Sequence, residues 1–262
     1  MSRTGARTPL GYKERVPTTL KPIEACGLYT FVDTGCLGGR EPEDIARALC
    51  DGGADLVQVR AKRATPDAVR SMAERLLPIT QAAGVWLVIN DHPSVAFQVG
   101  APLCHLGQED FFDAGYTHVS QIGFGPSASV EPTGQNPTSP AAEPEVLETG
   151  ERERRPLIGL STHAPAQAER AIAAGAAYVA IGPVFATPTK PGRPPVTLDY
   201  VRWAAANVRI PWFAIGGITL DNLDAVLAAG ARRVCVVRAV LDTPDVARAC
   251  REFARRLGSA GS

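Results

Sequence analysis

The chain has 262 residues, 45% of them hydrophobic, enough to bury the core of one large α/β domain. Its 27 Lys and Arg balance 27 Asp and Glu, which argues against nucleic acid as the main partner, and no apolar run approaches the roughly 18 residues of a membrane span. Six cysteines without a Cys-x-x-Cys pair, mostly inside apolar segments, read as reduced core residues of a cytoplasmic protein.

Residues 1–25 are basic and poor in apolar side chains. They are expected to form a disordered extension, with a transit peptide as the alternative; a signal-peptide core is missing. Residues 26–258 carry eight short apolar runs, and seven of them stop at clusters of polar residues or glycine. After the first run, Leu28 to Val32, comes Leu56-Val57 leading into Gln58-Val59-Arg60-Ala61-Lys62. Gln58, Arg60 and Lys62 stand two apart, so an extended chain points all three to one side, a plausible clamp for a polyanion such as pyrophosphate. The third run, Val85 to Ile89, ends at Asn90-Asp91, and the fourth, Leu103-Cys104, at His105-Leu106-Gly107-Gln108-Glu109-Asp110. Two carboxylates after successive strands suit Mg²⁺ completed by waters and substrate phosphates, although Asp91 equally reads as a cap for a helix starting near Pro93.

From Phe111 to Arg154 the composition turns to Pro, Gly, Ser, Thr and Glu, which predicts a long irregular insertion, disordered or acting as a lid. The runs then resume. Leu157 to Leu160 leads into Ser161-Thr162-His163, Tyr178 to Ile181 into Gly182 and Thr187-Pro188-Thr189-Lys190, and Trp212 to Ile215 into Gly216-Gly217. Val234 to Val237 leads into Arg238. His105 and His163 end strands and can line a site, whereas His92 and His118 read as surface residues. Gly216-Gly217, with Thr219 and Asp221 at a helix start, occupies the usual phosphate position after a seventh barrel strand.

A second regularity points to the same architecture. Gly53-Ala54, Gly100-Ala101, Gly175-Ala176 and Gly230-Ala231 each end a helix-like segment just before an apolar run, at spacings of 47, 75 and 55 residues. Two strand-plus-helix units occupy roughly 50 residues when eight make a domain of about 250, so the sequence predicts a single-domain (β/α)8 TIM barrel with residues 111–154 inserted after the fourth strand. In such a fold functional groups gather where the strands end.

Taken in order, Gln58-Val-Arg60-Ala-Lys62, Asn90-Asp91, His105-Leu-Gly-Gln-Glu-Asp110, Ser161-Thr-His163, Gly182 to Pro191 and Ala214-Ile-Gly216-Gly217 resemble the thiamine-phosphate synthase family. The resemblance implies a transferase that joins hydroxymethylpyrimidine pyrophosphate to thiazole phosphate, releasing pyrophosphate. It also implies that Asp91 and Asp110 hold Mg²⁺, and that Gln58, Arg60, Lys62, Asn90 and Lys190 bind the pyrophosphate end. Ser161 would sit beside the pyrimidine, His105 would line the pocket, and Thr187, Thr189 and Gly217, next to Gly216, would receive the thiazole phosphate. Ser161, Lys190 and Arg60 are the catalytic candidates. Arg238 stands where relatives often carry a small hydroxyl residue, and either binds phosphate or turns outward to Asp242. The partners implied are small molecules, and a homo-oligomer stays open. A thiazole tautomerase would need neither the paired aspartates nor the Arg60 and Lys62 clamp, and a silent regulatory barrel would be expected to lose some of them.

Overall fold

A computed structural model describes residues 20–124, 155–187 and 195–259. Its strands are all parallel and close into a barrel in sequence order: β1 (Leu28–Asp33), β2 (Leu56–Arg60), β3 (Trp86–Asn90), β4 (Leu103–Gly107), β5 (Leu157–Thr162), β6 (Tyr178–Ile181), β7 (Trp212–Ile215) and β8 (Val234–Cys235). The helices around it are α1 (Pro42–Asp51), α2 (Pro66–Ala83), α3 (Pro93–Val99), α4 (Gln108–Asp113), α5 (Pro165–Ala173), α6 (Thr197–Asn207), α7 (Leu223–Ala228), α8 (Arg238–Leu241) and α9 (Val246–Ser259). This is the (β/α)8 barrel that the sequence predicts.

Local chemistry sets the alternation. Helices α1, α2, α3 and α5 open on proline, whose missing N–H and fixed φ suit the first helical turn. The four recurring glycines all have positive φ, between 71° and 102°, and so turn the chain from helix to strand at positions where a side chain would be strained. Strands covered on both faces read as unbroken apolar runs, and every residue of β1 is buried.

Two separate apolar clusters make the core. The larger lies between strands and helices, and the smaller fills the barrel with Tyr29, Phe31, Leu56, Val88, Leu103, Tyr178, Phe213 and Cys235, closed below by Ile23 and Cys26. Register places Asp33 opposite Arg60, Asn90 opposite His105, His105 opposite Gly159 and Gly159 opposite Tyr178. A Cβ at Gly159 would come within 2.0 Å of the Tyr178 ring, so only glycine lets that ring cross β5 toward His105.

Two expected boundaries move. The extension expected over 1–25 has its last residues packed on the barrel: Ile23–Ala25 forms a 3-10 turn that buries Ile23, Trp86 Nε1 donates to the Lys21 carbonyl at 2.9 Å, and Lys21 pairs with Asp55, whose carboxylate also accepts from Gly27 and Leu28 N–H. The stretch expected to be irregular from Phe111 begins as core. Phe111, Phe112, Ile122 and Phe124 are buried, Phe124 meets Phe97 at a tilt of 30° with centroids 5.4 Å apart, and Arg155 lies 5.1 Å over its ring. The aromatic spacing was masked by polar neighbours in the sequence. Phe124→Ala is expected to destabilise the protein by about 3 kcal/mol, the low end for a buried phenylalanine, read as a lower urea midpoint at unchanged slope. An unchanged midpoint would mean that residues 114–124 merely decorate the barrel.

Candidate active site

Charged groups gather at the ends of β1 to β4. Arg60, at the end of β2, donates to the Asp33 carboxylate at 2.5 Å, with side-chain exposures of 15% and 4%, and the other Asp33 oxygen accepts from Gly35 N–H at 2.9 Å. Strand β2 stops at Arg60, so Lys62 lies in the following turn, exposed, and does not extend the one-sided row expected of Gln58, Arg60 and Lys62. Asp91, just past β3, has φ 63°, a left-handed conformation that Asp and Asn tolerate better than other side chains. Its N–H donates to the His105 carbonyl at 2.9 Å and its carboxylate accepts from Asn90 Nδ2 at 2.5 Å. Burial pushes the Asp91 carboxyl above the ordinary range; Lys62 draws it back, and Asp110, in the first turn of α4, pushes it further up. The capping alternative for Asp91 is not what the structure shows, because α3 is preceded by His92 and receives no side-chain cap.

A buried polar chain crosses the barrel from this side to the other. Gln58 Nε2 donates to the Tyr29 hydroxyl at 2.5 Å, the Tyr29 and Tyr178 hydroxyls lie 3.1 Å apart, and Tyr178 lies 3.1 Å from His105 Nδ1. His105 Nε2 is 2.9 Å from Ser161 Oγ. The His105 and Tyr178 rings stack with centroids 5.6 Å apart.

Beyond Ser161, the ends of β5 to β8 surround a cavity of about 420 Å³. Ala180, Ile215, Cys235 and Val237 give it apolar walls, and Ser161, His163, Thr187, Thr219 and Arg238 bring polar groups to it. Gly216 and Gly217, with φ 103° and 64°, lie against Pro183 and against Phe185 and Ala186, leaving no room for a Cβ. Their turn is held by Asn222, whose Nδ2 donates to the Gly217 carbonyl and whose Oδ1 accepts from Thr219 N–H, both at 2.9 Å. Helix α7 begins only at Leu223, later than the Thr219 to Asp221 start expected. Arg238 opens α8 at the rim, 48% exposed, and reaches Asp242 at 3.3 Å; this is the partner weighed as the alternative, but Asp242 lines the same cavity, so the pair does not turn away from it.

The family model described as "Thiamine monophosphate synthase" matches residues 28–121 and 145–240. The chain belongs to this family. It is 43% identical to the thiamine-phosphate synthase of Thermus thermophilus over 215 residues, covering 80% of this chain and 86% of that protein. It is 40% identical to that of Thermobifida fusca over 252 residues, covering 94% and 98%. Among solved structures the thiamine phosphate pyrophosphorylase from Pyrococcus furiosus superposes with a TM-score of 0.70 at 23% identity, covering 92% of this chain and 99% of that one, a likeness of fold. Members of the family are transferases that couple a pyrimidine and a thiazole moiety into thiamine phosphate.

Against the family's motifs, the structure brings Arg60, Lys62, Asn90, Asp91 and Asp110 to one side of the mouth and Ser161, Thr187, Gly216, Gly217 and Arg238 to the other, with Gln58 and His105 buried between. Thr189 and Lys190 lie outside the described residues. The interruption of the family match, from 122 to 144, starts later than the insertion expected from composition. Sequence reasoning missed Asp33, Tyr29 and Tyr178. Asp33 had a usable signal: it ends β1 as polar residues end the other strands.

Proposed function

We infer that this chain joins hydroxymethylpyrimidine pyrophosphate to thiazole phosphate, with the leaving pyrophosphate at the ends of β2 to β4 and the thiazole phosphate in the cavity of β5 to β8. The observation that carries this reading is the division of the mouth: a carboxylate and cation cluster on one side, an apolar cavity with a glycine turn and an arginine on the other, and Ser161 at the border.

The residues of the first side fit a divalent cation. Among the described residues no group of three or more His, Cys, Asp or Glu is placed to hold a metal, but Asp91 and Asp110 lie close enough to repel, Asp91 half-buried and Asp110 exposed. Two hard oxygen donors with room for water and substrate phosphates are what Mg²⁺ commonly takes. Charge balance points the same way. Arg60 and Lys62, with Lys190 in the role the resemblance gives it, no more than balance the three carboxylates Asp33, Asp91 and Asp110, so the charge of a bound polyanion would stay uncompensated unless a cation joined the pair. When bound, Mg²⁺ would neutralise charge building on the departing oxygens.

The chain's own residues do the rest. Arg60, fixed by Asp33, and Lys62 favour charge on the leaving group over charge on the intact ester, which lowers the barrier to breaking the bond between the pyrimidine methylene carbon and the pyrophosphate oxygen. The pyrimidine ring stabilises the cation left behind. The thiazole nitrogen, oriented by its phosphate near Gly217 and Arg238, then supplies the electron pair for the new carbon–nitrogen bond, and substrate seated against the apolar wall leaves little room for competing water. No covalent enzyme intermediate is needed. Lys190 and Thr189 keep the pyrophosphate and phosphate roles that the family resemblance gives them. Six free cysteines, four of them buried, fit a reducing, cytoplasmic setting.

Purified chain with both substrates and Mg²⁺ is expected to form thiamine phosphate and pyrophosphate in equal amounts, and to stop when the metal is chelated. Isomerisation of the thiazole without coupling would instead identify a tautomerase. Arg238 makes a separate expectation: swung from Asp242 to the phosphate, it can donate two parallel hydrogen bonds. Arg238→Ser is expected to raise KM for the thiazole phosphate about tenfold, discounted for exposure, and to leave KM for the pyrimidine substrate unchanged. Asp242→Asn should lower the same KM about twofold, because a competing partner is lost. Initial rates with each substrate varied in turn check both, and equal changes for both substrates would point to general damage at the mouth.

A further inference from the structure

We propose that Tyr29 and Tyr178 are positioning residues that set the tautomer of His105 and thereby make Ser161 a hydrogen-bond donor toward the cavity. The inference rests on the reading above that Ser161 faces substrate. It comes from following each hydrogen along the buried chain.

Gln58 Nε2 can only donate, so its contact with Tyr29 uses a lone pair of the phenol oxygen. Tyr29 is buried, and the hydrogen-bond partners the structure gives its hydroxyl are Gln58 and Tyr178. Its own hydrogen therefore goes to Tyr178; in the reverse direction it would be stranded in the barrel core, which buried polar groups avoid. Tyr178, having accepted one hydrogen, gives its own to His105 Nδ1 at 3.1 Å. The imidazole is then neutral, with its hydrogen on Nε2, and donates to Ser161 Oγ at 2.9 Å. The Ser161 hydrogen has to leave in another direction, and Ser161 lines the cavity. The result is a site that accepts an electron-rich atom beside Ser161 and disfavours a donor there.

Geometry keeps the chain rigid. Tyr29 meets Tyr178 and Phe213 edge to face, Tyr178 stacks on His105, and Gly159 gives the Tyr178 ring its passage. Burial holds both phenols un-ionised, well above the ordinary tyrosine range. Of the charged groups nearby, Asp91 is met through its backbone, whose N–H donates to the His105 carbonyl. The direction of the whole chain is thus set at its far end by the amide of Gln58. Gln58→Glu, read at a pH high enough to ionise the buried carboxyl, replaces that donor with a group that only accepts, and should reverse every bond: Tyr29 donates to Glu, Tyr178 to Tyr29, His105 Nδ1–H to Tyr178, and Ser161 to Nε2.

The test is the protonation pattern of the His105 ring in the full chain labelled with [¹⁵N]histidine, read by long-range proton–nitrogen correlation without substrate and assigned by loss of the signal in His105→Gln. The wild-type protein should show hydrogen on Nε2 and a bare Nδ1, and Gln58→Glu the opposite. Hydrogen on Nδ1 in the wild type overturns the proposal. Because no substrate is present, this result stands or falls apart from the proposed reaction. A kinetic arm separates positioning from packing. Tyr178→Phe should lower kcat about 3- to 10-fold with KM little changed, and cost nothing further in a Ser161→Ala background. Equal losses in both backgrounds would show that Tyr178 acts only as core, and would also overturn it.

Discussion

Asp91→Asn is expected to lower turnover by about 10²- to 10³-fold, the share a metal's charge supplies to a departing phosphate, while raising the melting temperature of the metal-free protein. The two effects share one cause. Burial, with Asp110 nearby, raises the Asp91 carboxyl above its value in the unfolded chain, so the folded state binds that proton more tightly than the unfolded one. Stability attributable to Asp91 is therefore greatest at acid pH and is lost as pH rises through the raised value; near neutrality the ionised side chain is a burden. Asparagine removes the charge and tolerates the left-handed backbone at φ 63°, so the variant gains stability at neutral pH and the gain shrinks as pH falls. Mg²⁺ should raise the wild-type melting temperature and leave that of Asp91→Asn almost unmoved. Thermal unfolding of both proteins across pH, with and without Mg²⁺, checks the set. A variant that is less stable than wild type at neutral pH, or that still responds fully to Mg²⁺, would mean that Asp91 is a structural residue.

Arg60→Met is expected to damage both activity and folding, and a second substitution should separate the two. Asp33 is 4% exposed and its carboxylate is paired with Arg60 at 2.5 Å. Removing the cation leaves a buried, uncompensated charge, costing about 3 kcal/mol, the low end for such pairs because Arg60 keeps some contact with water. It also removes a charge-assisted donor from the leaving group, a loss of about 10²-fold in turnover. Asp33→Asn in the same chain should restore most of the stability and none of the activity. Urea unfolding beside steady-state rates gives the answer, and recovery of activity in the double variant would show that Arg60 serves only to satisfy Asp33.

The barrel was legible because its signals are local. A glycine with positive φ after each marked helix, a proline at helix starts and a polar stop after each apolar run are consequences of nearest-neighbour chemistry. The candidate site was legible to the extent that its residues lie at strand ends, as Arg60 and Asn90 do, or one residue from them, as Ser161 and Gly216 do. What stayed hidden depends on register between distant strands. Asp33 and Arg60 meet only because β1 and β2 pair in that register, and Tyr29 and Tyr178 meet across the barrel, 149 positions apart in sequence. Tyr29 also sits in a strand where every residue is buried, so no alternation marks the side that faces the interior. The Phe111 to Phe124 stretch failed for another reason: four core aromatics and aliphatics are spread among polar residues at no single period.

The central claim is that the two sides of the mouth hold different substrates, and a crystal structure of the chain with thiamine phosphate, pyrophosphate and Mg²⁺ tests it most directly. Pyrophosphate and metal are predicted beside Asp91, Asp110 and Arg60, with the phosphate of thiamine phosphate against Gly217 and Arg238 and the pyrimidine next to Ser161. Pyrophosphate in the Gly217 and Arg238 cavity, or a metal bound away from Asp91 and Asp110, would contradict the account.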